Sequence, residues 1–404
     1  MTIEQAIILA GGLGTRLGNL SKGCPKSMQL INNKPFMNYI FFNLKRHGIK
    51  KILISVGYLG NKIKSYYGDG KEYGLSIKYA EESEPLGTSG ALLNCKEYLE
   101  DKFFLLNGDT IFDINFLDLG KILIENKSVG VLALRKVRNA KRFGEVIIKN
   151  NIVIEFNEKK SANESLVSGG ILALRKEIIK YIDKVPSSLE KDVFVKLIRE
   201  KNLLAKQYDG FFIDIGIPET LKNAQTLIPN WREKSAILFD RDGVINKDKG
   251  YVCEKERFEW TEGSMRAIKK ANDLGILVII ITNQSGIGRG YYSEYDFLCF
   301  MNWINSQLSE IGAHLDDWYF CPHHPIYGLG KYKKKCLCRK PQPGLLEKAI
   351  NKWSLKKEKI ILIGDKETDL EAARSLSIKS YLFNENDNLE YLLDNKVLPD
   401  ILRL

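Results

Sequence analysis

An apolar run ends in Phe239-Asp240-Arg241-Asp242-Gly243-Val244, where two carboxylates stand two residues apart before a glycine. In an extended segment two such side chains face the same side, but a turn at Gly243 would swing the second one round. The pair can then divide labour: one carboxylate attacks phosphorus, and the other, protonated, serves the leaving oxygen. Asp-x-Asp-Gly alone would equally suit a calcium-type loop, yet Val244-Ile245 brings no further oxygen ligands, which speaks against an EF-hand. A second constellation is Cys321-Pro322-His323 with Cys336-Leu337-Cys338. Three thiols and an imidazole are the ligand set of a closed structural zinc site, with coincidental free thiols as the bland alternative. His324 reads as a neighbour rather than a ligand. The other four cysteines, Cys24, Cys95, Cys253 and Cys299, are scattered and read as ordinary core or surface residues.

A third stretch, Leu9-Ala10-Gly11-Gly12-Leu13-Gly14-Thr15-Arg16-Leu17, follows the first apolar run. Glycines let backbone N–H groups approach phosphate oxygens, and Arg16 adds charge where a triphosphate would lie. It is not a Walker A loop, since no Gly-Lys-Ser/Thr follows. It also misses the dinucleotide fingerprint, since Leu17 stands in the place of the third glycine. Alone, it could be a plain structural turn.

The elements around these residues alternate. Ile7 to Leu9, Ile52 to Val56, Phe103 to Leu106 and Val131 to Leu134 read as buried strands separated by helical stretches. That pattern predicts an α/β layer fold with a mainly parallel sheet. It restarts at Ala236 to Phe239, and Leu277 to Ile281 and Ile360 to Ile363 repeat it, each ending in Thr, Asn or Asp. Ligands of such sheets bind beyond the carboxyl ends of the strands, where these polar residues fall. The length of 404 residues exceeds one ordinary core. The short polar stretch Pro229 to Lys234 marks the boundary, dividing the chain into domains 1–230 and 231–404.

Beside the glycine loop stand Pro25-Lys26, Pro85-Leu86-Gly87-Thr88-Ser89-Gly90, Asn107-Gly108-Asp109, Phe156-Asn157-Glu158-Lys159 and Phe212-Ile213-Asp214-Ile215-Gly216. In that order they resemble the sugar-phosphate nucleotidyltransferase family over roughly residues 3–225. Within it the likeness is greatest to heptose-1-phosphate guanylyltransferases and more distant to mannose-1-phosphate guanylyltransferases. The resemblance implies a Rossmann-like, GT-A-like domain in which a sugar 1-phosphate attacks the α-phosphorus of a nucleoside triphosphate. Such transfer needs positioning and charge neutralisation more than covalent help. It implies that Asp109 and Asp214 hold Mg²⁺, and that Arg16 and Lys26 steady the phosphates. Gly11, Gly12, Gly14 and Thr15 would cradle them, Glu158 and Lys159 would take the sugar phosphate, and Gly87 and Thr88 would face the base. Taken singly, an aspartate after a strand is often a cap and a lysine a solvated charge. Ser27 and Val167-Ser168-Gly169-Gly170 depart from the family pattern, which often has proline at the first place and Asn-Ala-Gly at the second.

Thr282-Asn283-Gln284-Ser285-Gly286, Lys340-Pro341 and Ile363-Gly364-Asp365-Lys366 complete a second likeness, from about residue 235 onward, to haloacid-dehalogenase-like phosphatases with their Rossmannoid fold. It implies Asp240 as nucleophile, Asp242 as general acid and then base, and Thr282 and Lys340 on the phosphoryl oxygens. Mg²⁺ would sit on Asp240, the Asp242 carbonyl and Asp365. The zinc-containing subgroup includes heptose-1,7-bisphosphate and histidinol-phosphate phosphatases, and Tyr319 to Pro325 with Cys338-Arg339-Lys340-Pro341 looks closer to the heptose enzymes. On that likeness Asp248, Tyr251, Asn283, Gln284, Ser285, Arg339 and Lys366 line the substrate pocket. Gly288 stands where alanine is common.

The chain is basic, with a formal net charge of +11, but its lysines are spread and no nucleic-acid motif appears. Phosphorylated substrates suit that charge. No apolar run approaches the ~20 residues of a membrane span, and the N-terminus lacks the marks of a signal peptide. A cytoplasmic enzyme is therefore expected, with no nucleic-acid or membrane partner and with oligomerisation left open. The two likenesses fit consecutive steps. A phosphatase taking the 7-phosphate from a heptose bisphosphate leaves the class of compound that the other half would activate, with GTP giving GDP-heptose for surface polysaccharide. The rival readings are a hexose-1-phosphate enzyme fused to a histidinol-phosphate-type phosphatase, or one half acting as a silent regulatory module.

Overall fold

The computed structural model describes residues 2–138, 144–157 and 164–402. Two compact units emerge, Met1–Trp231 and Arg232–Leu404. No helix among the described residues is long and apolar enough to cross a membrane.

The first unit is built on a nine-stranded sheet. Its strands, in chain order, are β1 (Gln5–Leu9), β4 (Lys51–Val56), β5 (Ser76–Glu81), β6 (Lys102–Asn107), β8 (Gly130–Val137), β9 (Glu145–Lys149), β10 (Ile152–Asn157), β11 (Ser165–Arg175) and β12 (Leu203–Gln207). Short hairpin strands β2 (Leu30–Ile31) and β3 (Lys34–Pro35), and the pair β7 (Thr110–Phe112) and β13 (Phe212–Asp214), stand apart from it. The order is β5-β4-β1-β6-β11-β8-β12-β10-β9. From β5 to β6 all neighbours are parallel. The expectation of a mainly parallel sheet stops there, because β11 runs antiparallel to both β6 and β8, and β10 antiparallel to β9 and β12. Strand direction follows from the connections, and the β9–β10 hairpin turns on only Asn150 and Asn151, both at positive φ, where asparagine is tolerated.

The second unit holds a fully parallel five-stranded sheet of β14 (Ala236–Phe239), β15 (Leu277–Asn283), β16 (Asp317–Cys321), β17 (Ile360–Gly364) and β18 (Lys379–Leu382), in the order β16-β15-β14-β17-β18. A parallel sheet is covered on both faces, which is why β14 reads as the unbroken apolar run Ala-Ile-Leu-Phe rather than an alternation. Ile237 and Phe239 enter one core, and Ala236 and Leu238 the opposite one. Ile237, Leu238 and Phe239 each contribute ~1.5–3 kcal/mol by full burial relative to exposure.

Both units wind outward in two directions from their first strand. In the first, β4 lies on one side of β1 and β6 on the other; in the second, β15 and β17 flank β14. A crevice opens at the carboxyl end of such a strand because the flanking connections depart to opposite sides. Leu9 leads into the glycine loop at one of these crevices, and Phe239 leads into Asp240 at the other.

Candidate functional site

At the end of β14, Gly243 has φ +86°. A Cβ there would also lie 2.4 Å from an oxygen of Asp365, so only glycine permits this turn. The turn separates the two aspartates. Asp240 is buried and points toward Lys340, whose Nζ lies 2.9 Å from Asp240 Oδ1 and 2.5 Å from Asp369 Oδ1 and donates to the carbonyl of Ile281 at 2.8 Å. Oxygens of Asp240, Asp365 and Asp369 lie within 4.8 Å of one another. Burial pushes the Asp240 carboxyl up to about 7, Lys340 opposes this, and Asp369 and Asp365 add to it. For Lys340, burial works against the charge but is outweighed by Asp240 and Asp369, which hold the ammonium above the ordinary lysine value. Burial likewise raises Asp365, and its Oδ1 is buried without a hydrogen-bond partner. One buried ammonium among three carboxylates leaves negative charge that a cation would neutralise.

Asp242 takes a different direction. The fully buried Arg241 donates from Nη2 to both its oxygens, at 2.7 and 2.8 Å, and from Nε at 3.1 Å. Gln284 Nε2 at 2.9 Å and Asn246 Nδ2 at 3.0 Å complete its donors. The Asp242 side chain thus stands outside the three-carboxylate group, so only its backbone carbonyl remains for the expected cation. Gln284 also donates to Thr282 Oγ1 at 2.9 Å and accepts from the Tyr292 hydroxyl at 2.6 Å. Asn283 spends its amide on the backbone of Lys340, donating to its carbonyl and accepting from its N–H, both at 3.1 Å. Ser285 opens the short helix Ser285–Gly288 directly behind. Lys366 Nζ is 3.0 Å from Asp248 Oδ2, and against the upward push of burial this bond holds Asp248 below the usual carboxylate range. Tyr251, at φ +51° and exposed, meets the Tyr291 ring edge-on with centroids 4.8 Å apart.

Cys321 at the end of β16, His323, Cys336 and Cys338 converge. Cys338 Sγ lies 3.2 Å from both other sulfurs and 3.3 Å from His323 Nδ1; Cys321 Sγ lies 3.5 Å from Cys336 Sγ and 3.7 Å from His323 Nδ1. A tetrahedron around an ion with ~2.3 Å zinc–sulfur bonds has edges of about 3.7 Å. The four atoms have that scale, and the set is soft enough for zinc.

In the first unit two cavities meet. One, of about 480 Å³, is lined by the loop from Gly11 to Arg16 with Lys26, Glu82, Gly87 and Thr88. The other, of about 690 Å³, is lined by Thr110, Asn157, Ser168 to Gly170, Lys191 and Asp214. Arg16, Asn107 and Asp109 border both. Asp109 is ion-paired with Lys26. The β7–β13 pairing sets Asp214 opposite Thr110, one residue from Asp109. Asp214 Oδ1 accepts from the N–H of Gly216 at 2.8 Å. Gly87 has φ +74°, and a Cβ there would fall 2.2 Å from the Ser187 carbonyl. Thr88 Oγ1 accepts from the N–H of Leu189 at 2.8 Å. Glu158 and Lys159 lie outside the described residues.

Among the residues of these sites to which sequence reasoning gave no role are Asp369, Arg241, Asn107 and Glu82. Asp369 carried a signal, since it falls at the third position of the helix Glu367–Arg374 and accepts from the N–H of Lys366 at 3.0 Å, as a capping carboxylate does. Arg241 sat in plain view between the two aspartates. Asn107 closes β6 immediately before the quoted Gly108-Asp109. Glu82, held by Ser55 Oγ at 2.8 Å, had no local signal.

A family model described as nucleotidyl transferase matches residues 5–230, and one described as HAD-hydrolase-like matches residues 337–396. A D-glycero-alpha-D-manno-heptose 1-phosphate guanylyltransferase of Campylobacter jejuni is 42% identical over 220 residues, which are 53% of this chain and 96% of the relative. A D-glycero-alpha-D-manno-heptose-1,7-bisphosphate 7-phosphatase of Burkholderia mallei is 44% identical over 147 residues, 36% of this chain and 78% of the relative. The phosphatases matched include some named for the alpha and some for the beta anomer. A crystal structure of HddC from Yersinia pseudotuberculosis aligns with a TM-score of 0.50 and 31% identity, over 55% of this chain and 98% of that one.

Proposed function

Because this chain belongs to the nucleotidyl transferase family over residues 5–230 and joins to it a haloacid-dehalogenase-like hydrolase, we propose that it catalyses two consecutive steps of nucleotide-activated heptose synthesis. Residues 231–404 remove the 7-phosphate of D-glycero-D-manno-heptose 1,7-bisphosphate. Residues 1–230 join the resulting heptose 1-phosphate to GTP, giving GDP-heptose and pyrophosphate.

The observation that carries the reading is the meeting of two cavities at Asp109, since nucleotidyl transfer needs two phosphorylated substrates to face each other across one point. Backbone N–H groups of Gly11 to Thr15 and the charges of Arg16 and Lys26 hold the triphosphate, with Gly87 and Thr88 at the base. The sugar phosphate occupies the second cavity, beside Lys191 and the segment leading to Lys159. Asp109 and Asp214 are the ligands for Mg²⁺, which when bound neutralises phosphate charge.

In the second unit Asp240 attacks phosphorus and forms an aspartyl-phosphate, while Lys340 and Thr282 hold the phosphoryl oxygens. Asp242, oriented by Arg241 and Gln284, gives a proton to the leaving sugar oxygen and then takes one from the water that frees the aspartate. Asp240, Asp365 and the Asp242 carbonyl are the Mg²⁺ ligands, supported by the unpartnered Asp365 Oδ1. Bound there, Mg²⁺ lets an anionic nucleophile approach an anionic phosphate. Zinc on Cys321, His323, Cys336 and Cys338 pins the segment that carries Arg339 and Lys340.

The test is to incubate purified full chain with heptose 1,7-bisphosphate, Mg²⁺ and each of four nucleoside triphosphates. Phosphate release without any nucleotide, and pyrophosphate release that needs both the phosphatase product and GTP, are expected. Absence of pyrophosphate with heptose 1-phosphate and every nucleotide overturns the transferase assignment. Running alpha and beta anomers in parallel identifies the one used.

A further inference from the structure

The amide of Gln284 is fully engaged inside the phosphatase site. Nε2 donates to Asp242 Oδ2 at 2.9 Å and to Thr282 Oγ1 at 2.9 Å, and Oε1 accepts from the Tyr292 hydroxyl at 2.6 Å. A carboxylate only accepts, so Nε2 has to face Asp242. Because Thr282 receives a hydrogen bond on its oxygen, its own hydrogen is left for a phosphoryl oxygen. Turning the amide over would reverse both relations. Oε1 would then stand against the Asp242 carboxylate and would take the Thr282 hydrogen. Tyr292 grips the one polar atom of the amide that Asp242 and Thr282 do not.

The fold makes room for this contact. Gly286 lies within the helix Ser285–Gly288, where the backbone itself does not ask for glycine. The tyrosine does: a Cβ on Gly286 would fall 2.6 Å from Tyr292 Cε1 and 2.7 Å from its hydroxyl oxygen. The Tyr291 N–H donates to the Gly286 carbonyl at 2.9 Å, which brings the chain back over that helix. Directly after Tyr292, Ser293 caps the helix Glu294–Glu310, and Asp296 closes a capping box. The same helix sets Phe297 and Phe300 against Arg241, each ring centroid 5.5 Å from the guanidinium. Asp242 is therefore held by two groups, Arg241 and Gln284, that the start of one helix fixes.

We propose that Tyr292 is a positioning residue of the phosphatase: by fixing the Gln284 amide it aims the Asp242 carboxyl at the leaving sugar oxygen and keeps the Thr282 hydrogen for the phosphoryl group. This rests on the phosphatase reading above and deepens it. As Asp240 bonds to phosphorus and the ester bond breaks, the departing sugar oxygen takes a proton from Asp242, whereas a nitrophenolate leaves without one. The role of Tyr292 is thus readable as a dependence on the leaving group, which loosened packing alone would not produce.

The test compares kcat/KM for heptose 1,7-bisphosphate and for p-nitrophenyl phosphate in the full-length wild type, Y292F, Q284A, the double variant and G286A. Y292F keeps the ring and loses only the hydroxyl. It should lower kcat/KM for the bisphosphate about tenfold, as loss of one orienting hydrogen bond does. The fall should lie in kcat, with KM held within about twofold. For p-nitrophenyl phosphate the fall should be smaller by a factor of about three or more. In the Q284A background Y292F should add less than about twofold, because one residue acts through the other. G286A, whose Cβ displaces the ring, should reproduce the Y292F pattern. Wild-type turnover of the bisphosphate in Y292F or in G286A overturns the proposal while leaving the phosphatase reading intact. An equal fall with both substrates makes Tyr292 a structural residue and also overturns it, as does full additivity with Q284A. If the wild type hydrolyses p-nitrophenyl phosphate but no heptose bisphosphate, the substrate reading itself fails and the positioning role falls with it.

Discussion

Arg241, buried completely, forks its guanidinium onto the carboxylate of its own chain neighbour, with Nη2 2.7 and 2.8 Å from the two oxygens of Asp242. The carboxylate expected to move protons is therefore also the counter-ion of a buried charge. Asp242→Ala strands that charge and should destabilise the second unit by about 3–5 kcal/mol. Asp240→Ala should cost less, because Lys340 keeps Asp369. Urea denaturation of both variants makes the comparison. A larger loss for Asp240→Ala would show that the Arg241 pair is not what stabilises this turn.

Gly243→Ala should abolish phosphatase activity through the backbone alone. It forces a side chain into positive φ and into the Asp365 carboxylate, whose oxygen would be 2.4 Å away. Retention of more than about a tenth of wild-type kcat would mean that the turn adapts and that this strain is not decisive.

Asp240→Asn should end phosphate release while leaving pyrophosphate release from heptose 1-phosphate and GTP nearly intact, because an amide cannot act as the nucleophile and the transferase has its own carboxylates. Loss of both activities in a folded protein would contradict independent sites.

The converse variant is Asp109→Ala. It removes a residue that borders both cavities of the first unit and pairs with Lys26, so nucleotidyl transfer should fall by a factor of about 100 or more at saturating Mg²⁺. Phosphate release should persist. Full transfer activity would remove Asp109 from the metal site.

Purified protein should carry about one tightly held zinc that Mg²⁺ does not displace, since three thiolates make a soft site. Cys336→Ser should lower the metal content and weaken phosphatase activity, while nucleotidyl transfer survives. Elemental analysis beside both assays decides, and a zinc-free wild type with full phosphatase activity would make the cluster coincidental.

The sequence reading singled out residues whose types stand within a few positions of one another, and the structure keeps them close: Asp240 to Gly243 lie in one turn, and Cys321, His323, Cys336 and Cys338 converge. It failed where partners meet only through packing. Asp369 joins Asp240 because β17 lies beside β14, and Glu82 reaches the glycine loop because β5, β4 and β1 are neighbours. The mixed half of the first sheet escaped for a related reason. Hydrophobic runs such as Val131 to Leu134 mark a buried strand but carry no sign of its direction, which the connections decide.

Cys338 and Lys340 are separated by one residue, so at most about 7 Å of backbone links a proposed zinc ligand to the group that grips Asp240. That tether has no slack in which to absorb a displacement of the cluster. With zinc bound as proposed, a chain that lacks the metal runs the first reaction weakly while the second is left untouched. In a fused catalyst whose second reaction consumes the product of the first, a shortage of zinc would then appear as a rise in heptose bisphosphate and a fall in sugar nucleotide, with transferase capacity standing idle.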